Sequence, residues 1–231
     1  MCAAFQLRLR LLIRSTYSLN QRDSQWIQRF NSCLMSYDVR WHRETAIMRT
    51  LPMQEVEARK NDWLIPIGRE SAQLLCNIIK GQGARTIVEL GASYGYSTLW
   101  FAEAARATGG RVYSFELDAA KVDYIRPRLE LSGLSSFVEF RIGDAREHLR
   151  SFDVAVDFAL IDLWKDLYIP CFELLLPRLT GGAFIAADNI LQPPHYREMG
   201  ETYRQHVRAN GRFDSVLLPV GSGIELSRLK E

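Results

Sequence analysis

Residues 85–99, RTIVELGASYGYSTL, constrain the fold more than any other stretch of the chain. A short apolar run ends in Glu89, glycines follow at Gly91 and Gly95, and a helical pattern of apolar residues begins just beyond them. This order predicts a β-strand, a tight turn and the N-terminus of a helix. The glycine spacing differs from the G-x-G-x-x-G of dinucleotide-binding proteins, and Glu89 would repel a pyrophosphate.

The same segment, read as E-x-G-x-x-x-G, resembles the first motif of class I S-adenosylmethionine-dependent methyltransferases. Glu89 suits a cofactor that carries an ammonium and a sulfonium, because both are positively charged. We expect Gly91 and Gly95 to let the backbone approach a ligand where a side chain would collide. The alternative is an ordinary strand–turn–helix of an α/β protein.

Composition limits the remaining possibilities. With 231 residues, 47% of them hydrophobic, the chain can form one well-buried α/β domain plus a small extension. A net charge of +2 gives no global case for a nucleic-acid-binding protein, although residues 1–60 hold ten Lys/Arg against five Asp/Glu. No apolar run approaches the roughly 20 residues needed to cross a membrane.

The four cysteines have no C-x-x-C spacing, which predicts free thiols rather than a disulfide framework or a zinc site. They are Cys2, Cys33, Cys76 and Cys171. Free thiols indicate a reducing compartment, and we expect a cytoplasmic protein. Residues 1–20 carry three arginines and no acid, which suits either an organellar transit peptide or a loosely ordered N-terminal extension. We favour the extension.

Residues 1–60 are predicted to form an extension followed by two helical segments, which either cap the active site or make a dimer contact. Residues 61–231 are predicted to form the S-adenosylmethionine-dependent methyltransferase domain. Strands alternate with helices along it, which predicts a Rossmann-like α/β fold with a doubly wound, mostly parallel sheet. Two last strands at residues 213–218 and 224–229 are predicted to pair as an antiparallel C-terminal hairpin.

Polar residues recur where the predicted strands end. They are Glu89, Glu116, Asp144, Asp162, Asp188 and Asn189. Open α/β sheets bind ligands beyond the carboxyl ends of their strands, so these residues indicate a ligand crevice. A carboxylate at Glu116 can accept both ribose hydroxyls of a nucleoside. The segment with Asp144 and Ala145 would lie near the adenine, although Asp144 could instead cap a helix.

Asp162, Asp188 and Asn189 supply two carboxylates and an amide oxygen from adjacent strand ends. Together with water and a substrate oxygen, they would complete the octahedral shell of Mg²⁺ or a similar divalent cation. Lys165 follows Asp162 by three residues, and nearby positive charge would favour its neutral form, which can act as a general base. The alternative is a helix-capping Asp162, an Asp188-Asn189 turn and a solvated Lys165.

Three segments resemble the catalytic segments of the catechol O-methyltransferase family: ELGASYGYS at residues 89–97, IDLWKDLY at 161–168 and AADNI at 186–190. The similarity covers about residues 62–231. It implies a seven-stranded class I domain, a metal site at Asp162, Asp188 and Asn189, and a general base at Lys165. It also implies a cofactor site that includes Glu89, Gly91, Ser93, Gly95, Ser97, Glu116, Asp144, Ala145, Asp162 and Trp164, with Trp164 near the adenine.

Two features depart from the family pattern. Leu163 stands where the catechol enzymes have a histidine. Those enzymes also orient the second catechol hydroxyl with a late acid, whereas the only acid between Gly211 and Ser222 is Asp214, early in its predicted strand. The acceptor therefore need not be catechol itself.

We therefore predict an O-methyltransferase that moves a methyl group from S-adenosylmethionine to a hydroxyl of a small phenolic or catechol-like molecule. Residues 190–195, 219–223 and 63–67 would build the acceptor mouth. The alternatives are a tRNA hydroxyuridine methyltransferase, a metal-independent small-molecule methyltransferase, a cofactor-binding regulator without catalysis, and a nicotinamide oxidoreductase. Exposed apolar residues in 21–60 make a homodimer plausible.

Overall fold

The computed structural model describes residues 21–231, so the expectations for residues 1–20 and Cys2 lie outside the described residues. The strands are β1 (Thr86–Leu90), β2 (Arg111–Glu116), β3 (Val138–Ile142), β4 (Val156–Ile161), β5 (Leu179–Ala187), β6 (Phe213–Leu218) and β7 (Ile224–Leu229). The helices are α1 (Gln21–Met48), α2 (Met53–Ala58), α3 (Arg69–Gly81), α4 (Tyr96–Thr108), α5 (Ala119–Ser132), α6 (Ala145–Arg150), α7 (Tyr168–Leu175) and α8 (Arg197–Ala209).

The strands form one seven-stranded sheet in the order β3-β2-β1-β4-β5-β7-β6. Strands β1 to β5 are parallel, and β7 is antiparallel to both of its neighbours, β5 and β6. The predicted Rossmann-like doubly wound sheet and its antiparallel C-terminal hairpin are confirmed. The second strand of the hairpin enters the sheet, so that β6 becomes the edge.

Helices cover both faces of the sheet, which is why its parallel strands can be apolar on both sides. One face packs against α1, α3, α4 and α5 through residues such as Leu75 and Phe101. The other face packs against α6, α7 and α8 through residues such as Leu149 and Phe172. Across residues 21–231, no helix combines the length and the apolar character needed to cross a membrane.

The N-terminal region is helical in two segments, α1 and α2, which residues 49–52 separate. Phe30 and Tyr37 of α1 are buried in the same hydrophobic cluster as the helices of the sheet's first face, and Phe30 meets Trp100 edge-on at 5.3 Å. Met35 and Val39, by contrast, are 63% and 68% exposed. A dimer contact through these exposed residues stays a prediction.

The apolar pattern of the sequence predicts that β5 starts at Ala183, but the strand begins four residues earlier, at Leu179. Gly182 has φ +78°, and the pairing of β4 with β5 shifts between Val156 and Phe158. Glycine inside a strand commonly marks such an irregularity. The glycines at 181 and 182 therefore conceal the start of the strand in the sequence.

Candidate active site

The turn at residues 91–95, which we call the glycine turn, joins β1 to α4. Gly91 and Gly95 have φ angles of +95° and +87°, in the region that favours glycine. A Cβ at Gly91 would overlap the backbone oxygen of Asp162, and one at Gly95 would lie 2.6 Å from Ile125. Both glycines are therefore required by packing within the protein, rather than only by the approach of a ligand, and their contact with a cofactor stays a prediction.

Glu116 shapes the glycine turn from the end of β2. Its Oε2 accepts a hydrogen bond from the backbone N–H of Ser93 at 2.7 Å, and its Oε1 accepts one from the N–H of Asp118 at 3.0 Å. Ser93 is held at φ +49°, which is uncommon for a residue with a side chain. The structure thus brings together Ser93 and Glu116, two of the predicted cofactor residues.

Glu89 lies in β1, two residues before the glycine turn, and is fully buried. Its Oε2 accepts hydrogen bonds from Thr98 Oγ1 at 2.6 Å and Ser114 Oγ at 2.5 Å, whereas its Oε1 has no partner among the described residues. Burial raises the pKa of Glu89 to about 7, although the hydrogen bonds from Ser114 and Thr98 oppose the shift. Sequence reasoning missed Ser114, whose pairing with Glu89 across β1 and β2 becomes evident once the register is known.

Asp162 and Asp188 follow directly after the adjacent parallel strands β4 and β5. Asp188 is 1% exposed, and neither of its carboxylate oxygens has a hydrogen-bond partner among the described residues. Burial raises the pKa of Asp162 to about 6 and, together with the charge of Asp162, raises that of Asp188 well above its usual range. Two acidic side chains therefore interact at a place where burial disfavours their ionised forms.

Asn189 comes next and adopts φ +54°, a left-handed conformation that asparagine tolerates better than most residues. Within residues 21–231, no group of three or more His, Cys, Asp or Glu side chains is arranged to hold a metal ion. The predicted set depends instead on two carboxylates and the amide of Asn189.

Lys165 is buried beside these acids. Its Nζ donates to the backbone oxygen of Asp188 at 3.0 Å and to Tyr168 Oη, and Tyr168 Oη donates to the same Asp188 oxygen at 2.9 Å. Burial lowers the pKa of Lys165 to about 8, and the charges of Asp162 and Asp188 partly offset this effect. The lowered pKa was expected from neighbouring positive charge, but in this structure burial causes it. Tyr168, three residues beyond Lys165, was missed from the sequence.

Asp144 has the capping role that the sequence left open. It accepts a hydrogen bond from the N–H of Arg146 at 2.8 Å at the start of α6, and its carboxylate also contacts the Arg146 guanidinium at 2.6 Å. This pairing lowers the pKa of Asp144 to about 2. Ala145 is buried in the core of the second face. Contact of either residue with an adenine stays a prediction.

Trp164 is 42% exposed, next to Lys165. Lys60, which follows α2, places its Nζ 4.1 Å from the centroid of the Trp164 ring and also pairs with Glu57 at 3.1 Å. A residue of the N-terminal region therefore reaches the candidate site. Nothing in the spacing of the sequence indicated this contact.

The three segments predicted to build the acceptor mouth adjoin one another. The N–H of Ile190 donates to the backbone oxygen of Gly223 at 2.9 Å, and that of Leu191 donates to Ser222 at 2.9 Å. A Cβ at Gly221 would lie 3.1 Å from the backbone oxygen of Ile67, so the 219–223 turn also meets the segment around residue 67.

Two further polar residues, His195 and Asp214, lie at exposed positions. His195 is exposed and packs against Tyr196 at 4.3 Å between ring centroids. Asp214 pairs with Lys230 at 3.6 Å near the start of β6. Because β6 runs in the same direction as β5, its start lies at the end of the sheet opposite to the carboxyl ends of the strands, where the candidate site lies. Asp214 is therefore not the acid that would orient a second catechol hydroxyl.

Comparison with known proteins identifies methyltransferases of similar sequence and fold. A family described as "Methyltransferase domain" matches residues 88–190. Catechol O-methyltransferase from Bos taurus is 26% identical over 162 residues, which are 67% of this chain and 57% of that protein. Caffeoyl-CoA O-methyltransferase 1 from Nicotiana tabacum is 27% identical over 201 residues, covering 77% of this chain and 84% of that protein.

A solved structure gives the same result. The O-methyltransferase from Bacillus cereus in complex with SAH has a TM-score of 0.68 and 25% identity, over 86% of this chain and 91% of that one. In sequence and fold, the chain is therefore similar to O-methyltransferases of the catechol and caffeoyl-CoA type. The region that the family matches extends from β1 through the glycine turn to Asp188 and Asn189, and so includes every residue of the predicted metal site and the predicted base.

Proposed function

We propose that the chain transfers the methyl group of S-adenosylmethionine to a hydroxyl of a small phenolic or catechol-like acceptor, with the assistance of Mg²⁺ or a similar divalent cation. The observation that carries the proposal is the pair of buried carboxylate oxygens of Asp188, beside Asp162 and Lys165, which have no hydrogen-bond partner within residues 21–231. The names of the relatives, catechol and caffeoyl-CoA O-methyltransferases, support the acceptor class.

The glycine turn and its surroundings form the proposed cofactor site. Glu89, Ser93 and Ser97 would lie along the methionine part, with Glu116 at the ribose and Trp164, Asp144 and Ala145 toward the adenine. The fit is supported by Glu89 Oε1, a buried acceptor without a partner in the described chain, since a ligand ammonium has hydrogen-bond donors to offer it. When bound, S-adenosylmethionine supplies a methyl group on a positively charged sulfur. The sulfur would be the leaving group, because the bond between it and the methyl carbon breaks as the acceptor oxygen bonds to that carbon.

The proposed metal ligands are Asp162, Asp188 and Asn189. The donor set suits a hard cation, because it consists of two carboxylates and an amide oxygen. The raised pKa values of both aspartates support the fit, since a divalent cation would stabilise the ionised forms that burial disfavours. When bound, Mg²⁺ supplies positive charge that lowers the pKa of an adjacent acceptor hydroxyl.

Lys165 is the proposed general base. Its lowered pKa leaves a substantial neutral fraction near pH 8, and only the neutral amine can accept a proton. Tyr168 and the backbone oxygen of Asp188 hold the Nζ in place before and after it takes the proton of the acceptor hydroxyl. Once protonated, Lys165 is stabilised by the charges of Asp162 and Asp188.

The test compares the native chain with Asp188→Asn, which preserves the shape of the side chain but removes its charge. Calorimetry measures S-adenosylmethionine binding with and without Mg²⁺, and S-adenosylhomocysteine production is followed with a panel of catechols and simple phenols. The control is Asp153→Asn, which removes one charge from an exposed position. We expect all three proteins to bind the cofactor, and only the native chain and the control to show Mg²⁺-dependent turnover.

Other outcomes favour specific alternatives. Turnover that is indifferent to Mg²⁺ and to Asp188→Asn would support the metal-independent methyltransferase and contradict the metal proposal. Cofactor binding without turnover on the panel would contradict the phenolic acceptor class. Transcripts of tRNA would then be tested as acceptors, and their binding should weaken steeply as the salt concentration rises. Absence of cofactor binding would overturn the proposal as a whole.

A further inference from the structure

Tyr94 connects three parts of the chain that are distant in sequence. It lies in the glycine turn between Ser93 and Gly95. Its backbone oxygen accepts a hydrogen bond from Tyr37 Oη of α1 at 2.7 Å, and its own Oη donates to the backbone oxygen of Asp62 at 3.1 Å. Asp62 belongs to residues 61–67, which we call the mouth segment because it contains the predicted wall of the acceptor mouth. The turn is therefore attached directly to the mouth segment.

Arg40 of α1 strengthens this attachment. Its guanidinium carbon lies 3.7 Å from the centroid of the Tyr94 ring and 4.8 Å from that of Tyr124, within the range of cation–π interactions. Its Nη2 donates to the backbone oxygen of Asp62 at 3.4 Å. The same carbonyl that Tyr94 holds is thus held by Arg40, which fixes the distance between the ring and the mouth segment.

Glu44 completes the connection. Its Oε1 accepts from Arg40 Nε at 2.6 Å, and its Oε2 accepts from the backbone N–H of Leu64 at 2.6 Å. Glu44 is 8% exposed and Leu64 is 1% exposed, so these charge-assisted hydrogen bonds lie largely out of water. Such bonds are shorter and stronger than neutral ones, and α1 therefore holds the mouth segment at two points.

The opposite side of the glycine turn is tied to the cofactor side of the site. Ser93, adjacent to Tyr94, donates its N–H to Glu116 Oε2 at 2.7 Å. An unbroken series of contacts thus leads from Glu116 through Ser93 and Tyr94 to Asp62. Contiguous packed and hydrogen-bonded groups of this kind can carry energetic coupling between two sites.

We propose that Tyr94 and Arg40 are positioning residues through which occupancy of the methyl-donor site orders the mouth segment on the acceptor side. This inference rests on the proposed function, because it takes the glycine turn to be where the donor binds. A donor that engages Glu116 and the turn restricts the motion of Tyr94, which in turn restricts Asp62 and its neighbours. The mouth segment then loses its conformational entropy before the acceptor binds, so the bound donor raises the affinity for the acceptor.

Hydrogen–deuterium exchange of the full-length protein tests the coupling without requiring a known acceptor. The probe is S-adenosylhomocysteine, and the observable is the ratio of exchange rates for peptides covering the mouth segment without and with this ligand. We expect saturating ligand to slow exchange about tenfold in the native chain. In Tyr94→Phe, which retains the ring but not the bond to Asp62, we expect the ratio to fall below about threefold.

Two further variants sharpen the comparison. Arg40→Lys keeps the charge but loses the planar group over the Tyr94 ring, and it should also reduce the ratio. Tyr113→Phe, a hydroxyl deletion on β2, is the matched control and should leave the ratio unchanged. A purely structural role of Tyr94 would change exchange equally with and without ligand, and so would not alter the ratio.

The outcomes separate this inference from the proposed function. Calorimetry on the same samples reports whether S-adenosylhomocysteine binds. If it binds to every variant and the native ratio persists in both Tyr94→Phe and Arg40→Lys, the coupling is wrong and the proposed donor site stands. If it does not bind to the native chain, the donor site is wrong and the coupling fails with it.

Discussion

Lys165 and Tyr168 converge on a single backbone oxygen, that of Asp188, at 3.0 Å and 2.9 Å. One residue is the proposed general base, and the oxygen belongs to a proposed metal ligand. The side chain that would take the proton and the strand end that would hold the cation are therefore fixed relative to each other by two hydrogen bonds. General-base catalysis requires this kind of alignment.

Replacing Lys165 by Met should abolish most of the turnover while leaving cofactor binding intact. The substitution preserves the volume of the stem but removes the amine, and loss of a general base typically costs about 10²- to 10⁴-fold in rate. In the native chain, turnover should rise with pH, because burial lowers the pKa of Lys165 to about 8 and only its neutral form is a base. Steady-state kinetics over a pH series provides the measurement. Lys230→Met is the control, and a variant with native kcat would rule out Lys165 as the base.

Replacing Tyr168 by Phe should lower kcat about tenfold with little change in KM, because Lys165 loses the partner that holds its Nζ. The buried hydroxyl also bonds to Asp188, so its removal should reduce the free energy of unfolding by about 1 kcal/mol. Kinetics and urea denaturation measure the two effects. If Tyr168→Phe lowers the free energy of unfolding but has the native kcat, the role of Tyr168 is structural only. Tyr113→Phe serves as the comparison.

Replacing Gly91 by Ala should destabilise the fold by about 3 kcal/mol or more, since it adds a close contact to an unfavourable backbone conformation. The new Cβ would overlap the backbone oxygen of Asp162. Gly109 provides a matched control, because it has φ +68° but a Cβ added there would meet no atom within 4 Å. Gly109→Ala should cost only the conformational strain of about 1 kcal/mol. Equal shifts of the urea midpoint in the two variants would contradict a role of the Gly91–Asp162 contact.

Replacing Glu89 by Gln should change how stability depends on pH. The pKa of Glu89 is raised from 4.5 to about 7 in the folded state, so folding favours the protonated form. Its contribution to the free energy of unfolding is therefore fully present below about pH 4.5 and is lost as the pH rises through about 7, a difference of about 3 kcal/mol.

Because Gln mimics the neutral acid, Glu89→Gln should become more stable relative to the native chain as the pH rises from 5 to 8. Urea denaturation of the ligand-free protein at several pH values measures this difference. Glu130→Gln, at an exposed position on α5, is the control and should run parallel to the native chain. A parallel curve for Glu89→Gln as well would show that Glu89 has the same proton affinity in both states.

Much of the fold could be predicted because hydrophobic patterns and turn residues are local signals. Strands β4, β6 and β7 begin and end where the apolar pattern places them. The start of β5 was missed because glycine gives no side-chain signal. The sequence also does not show that Met35 of α1 is 63% exposed whereas its neighbour Leu34 is buried. A short apolar cluster on a long helix does not by itself specify which face meets the core.

The candidate site was predictable to the extent that it follows from strand ends. Parallel strands present their carboxyl ends at one edge, and this is why Asp162, Asp188 and Lys165 could be grouped from spacing alone. Asp144 shows the limit of the same argument, since at a strand end the carboxylate can equally cap the following helix. Position along the chain does not distinguish the two uses.

The sequence alone was enough to establish the class of fold and to predict the side of the sheet that carries the candidate site and the residue types gathered there, because periodicity and motif spacing act over a few neighbouring residues. The folded structure was needed to reveal that Gly91 makes room for Asp162, that Ser114 and Thr98 hold Glu89, and that α1 joins Tyr94 to the mouth segment. These contacts depend on sheet register and on how helices pack against the sheet. Both are set by interactions between residues far apart in the chain, where local pattern carries no information.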